Sequence, residues 1–123
     1  MGLPIFKGES DPEEFLVWES AYERVFQVTD LTEQKKSCYV IAHFERYATT
    51  WWEYVKHFGN VLIEGQPPPW FRLRYIMRQR YLPEIYQHKL LAKLYNLKQG
   101  NKNMAAYYDE FQQLILKLDH RGE

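Results

Sequence analysis

Residues 11–27 read DPEEFLVWESAYERVFQ, and the order of residue types in this stretch decides the fold class. Asp11 is a helix cap, Pro12 follows at the first helical position where its missing N–H costs nothing, and Glu13 and Glu14 meet the positive end of the helix dipole. Phe15, Trp18, Tyr22, Val25 and Phe26 recur at three- and four-residue spacing, which puts them on one apolar face of a helix running to about Gln27.

The same chemistry repeats downstream. Thr32 is a cap candidate with Lys35 at the third position, an incomplete capping box, followed by Tyr39, Val40, Ile41 and Phe44 on a second helix. A third begins near Tyr47, carries Ala48, Trp51, Trp52, Val55 and Phe58, and meets a terminator at Gly59. Periodicity alone leaves open whether the second and third helices are continuous. Residues 59–69 form the clearest loop, ending in the extended run Pro67–Pro69. Pro69 opens a fourth helix bearing Trp70, Leu73, Ile76 and Met77, which stops before Pro83. Glu84 to Leu97, with Leu90, Leu91 and Leu94, makes a fifth. After a turn at 99–103 with Gly100 in the helix-ending position, Asn103 caps a sixth bearing Met104, Tyr107, Tyr108, Phe111, Leu114, Ile115 and Leu118. Upstream, Leu3 to Gly8 is an extended apolar arm, because Pro4 disfavours helix before it and Gly8 interrupts periodicity after it. No segment alternates with period two, so the sequence predicts an all-α protein, a compact bundle of about six helices.

Composition narrows the function classes. A chain of 123 residues with 17% aromatic content buries enough surface for one core or two very small lobes, and is the opposite of a disordered composition. One cysteine, Cys38, supports neither an internal disulfide nor a zinc knuckle, and points to an intracellular, cytoplasmic or nuclear setting. No apolar run reaches a membrane-spanning length and no signal-peptide order is present. Met1-Gly2 lacks the hydroxyl residue of a myristoylation motif, since the sixth position is Phe6. Sixteen basic and 16 acidic side chains cancel, but not locally: residues 1–30 hold 2 basic against 7 acidic, and residues 67–98 hold 7 against 1. That polarity fits pairing within one fold, between copies, or with a polyanion.

A search for chemistry leaves no catalytic, cofactor or metal site. The six glycines form no phosphate-binding loop. Cys38 and His43, five apart, fall about 140° apart around a helix and do not face each other as nucleophile and base. Glu53 and His57, four apart, make a surface ion pair without a third metal ligand. Glu9, Asp11, Glu13 and Glu14 are the acids a helix start prefers. Arg72, Arg74, Arg78 and Arg80, interleaved with Phe71, Tyr75 and Tyr81, are candidate contacts for RNA or an acidic partner. With Arg72 at zero, Arg74 and Arg78 fall near about 200° and 240° and Arg80 near about 80°, so they flank the apolar stripe without forming one basic face. Pairing with the acidic first segment is their expected use.

A longer-range order also emerges: Phe6-Lys7-Gly8, Asp11-Pro12 and Phe15-Leu16-x-Trp18, then Ala48-x-x-Trp51-Trp52, Trp70, Met77-Arg78-x-Arg80-Tyr81-x-Pro83-x-x-Tyr86, Leu94-x-x-Leu97-x-Gln99-Gly100 and Tyr107-Tyr108-x-x-Phe111. Over nearly the whole chain this order resembles the Gag capsid domain of gypsy-class LTR retrotransposons, plant lineages in particular. The resemblance implies a helical capsid protein related to retroviral capsids and to Gag proteins domesticated as interaction modules. It implies a capsid-like N-terminal lobe over 1–82, then 83–123 as the truncated start of a second lobe. Gln99, Gly100, Tyr107, Tyr108 and Phe111 resemble the major homology region that opens this second lobe. Asn103 and Ala106 stand where the family often has Ser and an acid, leaving that capping box half made.

The function expected on these grounds is non-enzymatic protein–protein association: self-assembly as a dimer or higher homo-oligomer, or binding of a host protein by a domesticated copy. RNA binding through the Arg72–Arg80 helix is a weaker alternative. Phe15, Trp18, Trp51, Trp52 and Trp70 are the candidate core and groove residues. Trp51 and Trp52, adjacent and hence about 100° apart, cannot both occupy the centre of one helix face. The sixth helix must pack on the fifth or against another copy.

Overall fold

The computed structural model describes residues 4–97 and 103–118, and within them the chain forms six α-helices. They are α1 (Pro12–Gln27), α2 (Glu33–Ala42), α3 (Tyr47–Phe58), α4 (Trp70–Tyr81), α5 (Glu84–Leu97) and α6 (Met104–Lys117). Among the described residues no helix is long and apolar enough to cross a membrane.

Three helix starts are made by side chains that satisfy orphan backbone donors. Asp11 Oδ1 accepts from Glu13 N at 3.0 Å, Thr32 Oγ1 from Lys35 N at 3.2 Å, and Asn103 Oδ1 from Ala106 N at 2.9 Å. Pro69 is not the first helical residue of α4 but its cap, in extended geometry. The three prolines ahead of α4 are tied to α2: Gln34 Nε2 donates to Pro67 O at 2.7 Å and Ser37 Oγ to Pro68 O at 2.6 Å. These bonds satisfy Ser37 where it is buried, and α2 packs on α4 beside them.

Helices α2 and α3 are separate, and the N-terminal arm is what separates them. Phe6 N donates to His43 O at 3.0 Å, Glu45 N donates to Phe6 O at 2.9 Å, and Ala48 N donates to Lys7 O at 3.0 Å. The arm thus supplies partners for backbone groups that the break at residues 43–46 takes out of helix. Phe6 enters through this gap and becomes the hub of the core. Its ring lies 4.7 Å from Trp18, 4.8 Å from Tyr81 in a T-shaped contact, 5.9 Å from Phe15 and 6.0 Å from Phe44. Burial of one such ring contributes roughly 1.5–3 kcal/mol and each favourable aromatic pair about 0.5–1.5 kcal/mol more.

Two apolar clusters result. The larger runs from Phe6 to Leu82 and includes Phe15, Trp18, Tyr22, Phe26, Val40, Leu73 and Met77. The smaller joins α5 to α6 through Leu90, Leu97 and Leu114, and Tyr86 touches both. Several residues counted on apolar faces from their spacing are instead exposed: Tyr39, Phe58, Leu91, Met104, Tyr108, Phe111 and Ile115. Helical period marks a stripe but not whether anything covers it.

Tyr22 is fully buried, yet its hydroxyl has no hydrogen-bond partner among the described residues, and burial pushes its pKa up to about 12. An unsatisfied buried hydroxyl stabilises nothing, so Tyr22→Phe is expected to leave stability unchanged or raise it by about 1 kcal/mol in urea unfolding. The unfolded tyrosine ionises near pH 10. Between about pH 10 and 12 the unfolded state therefore binds fewer protons than the native state, and stability falls as pH rises through this window. Tyr22→Phe should flatten that alkaline limb. Tyr81, whose pKa burial raises against the lowering pull of Arg80, retains part of it. A loss of more than about 1 kcal/mol in Tyr22→Phe would show that the hydroxyl is satisfied after all.

Candidate functional site

The aromatic residues expected in the core or its groove divide into four buried and one boundary residue. Phe15, Trp18, Trp52 and Trp70 are buried, whereas Trp51 is half-buried, edge-on to Phe44 at 6.3 Å and to Tyr81 at 5.8 Å. Two buried indole N–H groups, on rings edge-on to each other at 6.4 Å, are anchored to different elements. Trp18 Nε1 donates to Pro4 O at 3.3 Å, holding the arm, and Trp70 Nε1 donates to Glu23 Oε1 at 2.8 Å, joining α4 to α1.

The four arginines separate by side of helix. Arg74 Nε donates to Glu19 Oε2 at 2.9 Å and Arg78 Nη1 to Glu19 Oε1 at 2.5 Å, so one carboxylate receives both guanidinium groups. Arg78 also donates to Lys117 O at 3.1 Å, and Arg74 lies 3.9 Å from Glu23. Glu19 is 5% exposed, and this cluster is the polar tie between α1, α4 and the end of α6. Arg72 and Arg80 point outward and rest on the rings of Tyr75 and Tyr81 at 5.4 and 5.2 Å. The sequence reading missed Glu19. Its signal was available: Glu19 stands four residues after Phe15 in the spacing Phe15, Glu19, Tyr22, Phe26, an acid within an apolar stripe.

Of the major-homology-like residues, Gln99 and Gly100 lie outside the described residues. Tyr107 is half-buried against the α5–α6 cluster, its ring stacked on Phe111 at 6.3 Å and edge-on to Tyr108 at 5.7 Å. Two stripes run along α6. The inner one holds Tyr107, Leu114 and Leu118; the outer one holds Met104, Tyr108, Phe111 and Ile115, all exposed. The outer spacing of four, three and four residues is that of a coiled-coil seam.

Two grooves flank the exposed side of α1. One, of about 480 Å³, lies between the arm and α1 and is lined by Ile5, Val17, Trp18 and Ala21 with Lys7, Glu9, Glu13 and Glu14. The other, of about 520 Å³, lies between α1 and α6 over Leu16, Val17 and Leu116, where Lys117 Nζ meets Glu13 Oε1 at 3.1 Å. Tyr86 OH donates to the same Glu13 carboxylate.

Cys38 is exposed, and His43 Nδ1 lies 2.8 Å from Tyr39 O, its own helix. His57 approaches Glu53 at 3.8 Å while Lys56 holds it at 2.8 Å. Among the described residues no group of three or more His, Cys, Asp or Glu side chains comes together to hold a metal. Around the aromatic core the arrangement leaves exposed apolar and charged surface.

Residues 1–82, which contain α1 to α4 and the arm, match the family of the retrotransposon-derived protein PEG10, N-terminal capsid-like domain. No curated protein and no solved structure matches the chain. With two-thirds of its residues covered by that match, and with the arm, the aromatic core and the helix order set out above, the chain belongs to the family of retrotransposon-derived Gag capsid-like domains.

Proposed function

We propose that this domain works without catalysis, as a Gag-derived capsid-like unit whose biochemical task is association with further copies of itself. The observation that carries the reading is the outer stripe of α6: Met104, Tyr108, Phe111 and Ile115 remain uncovered after the helix has packed on α5, in the spacing of a helix–helix seam. Residues 1–82 act as a capsid-like first lobe and 83–123 as the start of a second. The two apolar clusters joined at Tyr86 support that division. An origin in gypsy-class elements of plant type, and a cytoplasmic site of action, rest on the motif order and composition alone.

Sedimentation velocity over a concentration series tests the reading. The expected result is a mass that rises with concentration, and a double variant, Phe111→Ser with Ile115→Ser, that stays monomeric or needs at least about tenfold more protein to associate. Leu114, which holds α6 on α5, is left intact by this choice. A wild-type chain that stays strictly monomeric at high concentration refutes self-association and favours the competing reading. In that reading a host-adopted module takes up a partner segment in the groove between arm and α1. RNA binding through α4 has less support, because Arg74 and Arg78 are engaged with Glu19.

A further inference from the structure

Internal ion pairing reduces the charge polarity of the chain without erasing it. Arg74, Arg78 and Lys117 are engaged by Glu19, Glu23 and Glu13. Among the described residues Arg72 and Arg80 on α4 and Lys89 and Lys93 on α5 keep no carboxylate partner, and Glu9, Glu14, Asp30 and Glu45 keep no cationic partner, while Lys7, Arg24 and Lys35 in the same N-terminal part are unpaired as well. Unpaired cations on α5 and unpaired acids beside the arm are thus both available, and both places carry exposed apolar side chains, Ile85 in the first and Ile5 and Val17 in the second.

The basic surface is the outer flank of α5. With Leu90 and Leu97 turned inward, Ile85, Lys89, Ala92 and Lys93 are all exposed and share a sector about 100° wide. The acidic surface is the groove of about 480 Å³ between the arm and α1. Ile5 and Val17, 51% and 70% exposed, form its apolar wall, and Glu9 and Glu14 line it unpaired. Lys7 also lines the groove, leaving it acidic on balance.

We infer that the α5 flank of one copy docks in the arm–α1 groove of the next, Ile85 and Ala92 against Ile5 and Val17, with Lys89 and Lys93 facing Glu9 and Glu14. The inference rests on the self-association reading and names a second surface for it, distinct from the α6 stripe. Because the two faces differ, the contact is heterologous and leaves an unused face at each end, so it propagates into rings or open chains. Charge complementarity of this kind selects partner and register and raises the association rate, and it weakens as salt screens the exposed charges.

A charge-swap series tests the contact by sedimentation velocity at low and high salt, circular dichroism confirming that each variant is folded. Lys89→Glu with Lys93→Glu makes both faces acidic; Glu9→Lys with Glu14→Lys makes both basic. Each variant alone is expected to associate at least about tenfold more weakly than wild type. Mixed in equal amounts, the two should recover association, because the acidic flank of one meets the basic groove of the other and the reverse contact is complementary as well. If wild type associates and the lysine variant associates equally well, the α5 contact is overturned while self-association stands; a strictly monomeric wild type overturns both. Loss in each variant without recovery on mixing overturns the pairing of these two faces. An unstructured oligouridine RNA serves as a further probe. If the lysine variant loses RNA binding while its mass distribution matches wild type, the flank serves a polyanion and the inference fails.

Discussion

Glu19→Ala is expected to destabilise the fold by about 3–5 kcal/mol, a large part of the roughly 5–15 kcal/mol that keeps a domain folded. The reason lies with the partners that remain. The side chains of Arg74 and Arg78 are 11% and 13% exposed and converge on one carboxylate, itself 7% exposed. Removing that carboxylate leaves two guanidinium groups against α1 with their main counter-charge gone. Urea unfolding followed by tryptophan fluorescence measures the loss, and a cost below about 1.5 kcal/mol would show the cluster to be hydrated and weak. Two comparisons locate the cause. Glu53→Ala removes the exposed acid held by Lys56 at 2.8 Å and should cost under about 1 kcal/mol. Replacing the whole cluster by apolar residues of similar volume, Glu19→Leu with Arg74→Met and Arg78→Leu, should restore most of the stability lost in Glu19→Ala. The penalty belongs to the orphaned charges and not to missing contacts.

That cluster also shows where sequence and structure part. An acid inside the stripe Phe15, Glu19, Tyr22, Phe26 and two arginines four apart beside the stripe of α4 are both visible in the sequence. Their meeting depends on how α1 crosses α4, which no local pattern encodes. Helix ends that rest on local chemistry were legible for the opposite reason: Asp11-Pro12, Gly59, Pro83 and Asn103 act within one turn of themselves, and α5 spans the residues its pattern predicts. The break between α2 and α3 was not legible, because its causes, Phe6 and Lys7, lie some forty residues upstream and bond to His43, Glu45 and Ala48. Arg46 at φ 53 is the local sign of that break and is not a residue that announces it.

The candidate surfaces divide along the same line. The adjacency of Trp51 and Trp52 keeps both from the centre of one helix face but leaves a core role open to each, and the structure buries Trp52 and leaves Trp51 at the boundary. Which stripe of α6 would be covered could not be read, since Tyr107, Leu114 and Leu118 and the set Met104, Tyr108, Phe111 and Ile115 are equally regular. Only the position of α5 decides between them. The outer stripe of α6 stays exposed after the helix has packed on α5, and internal pairing reduces the charge polarity without removing it.

Gly8→Ala is expected to cost about 2–5 kcal/mol, although it adds a single methyl group. Gly8 is buried at φ +77, where a side chain is strained by about 1–2 kcal/mol, and a Cβ placed on it would lie 2.4 Å from the backbone nitrogen of Ala48 and 2.7 Å from its Cα. Those are main-chain atoms of α3 and cannot swing aside, so either α3 shifts or the arm lifts. Lifting caps the cost. It gives up the burial of Phe6, its ring contacts and the hydrogen bond from Ala48 N to Lys7 O, but frees Gly8 from the clash. Gly65→Ala separates strain from contact, because Gly65 has nearly the same φ, +78, with nothing within 4 Å of its would-be Cβ; it should cost only about 1–2 kcal/mol. Hydrogen exchange tells the two responses to Gly8→Ala apart. An arm that lifts exposes the amides of Phe6 and Glu45 together while Ala48 N keeps Glu45 O at 3.1 Å, whereas a shifted α3 keeps Phe6 and Glu45 protected. Equal costs for Gly8→Ala and Gly65→Ala would mean that the arm does not press on α3, and would remove the arm as the wedge that parts α2 from α3.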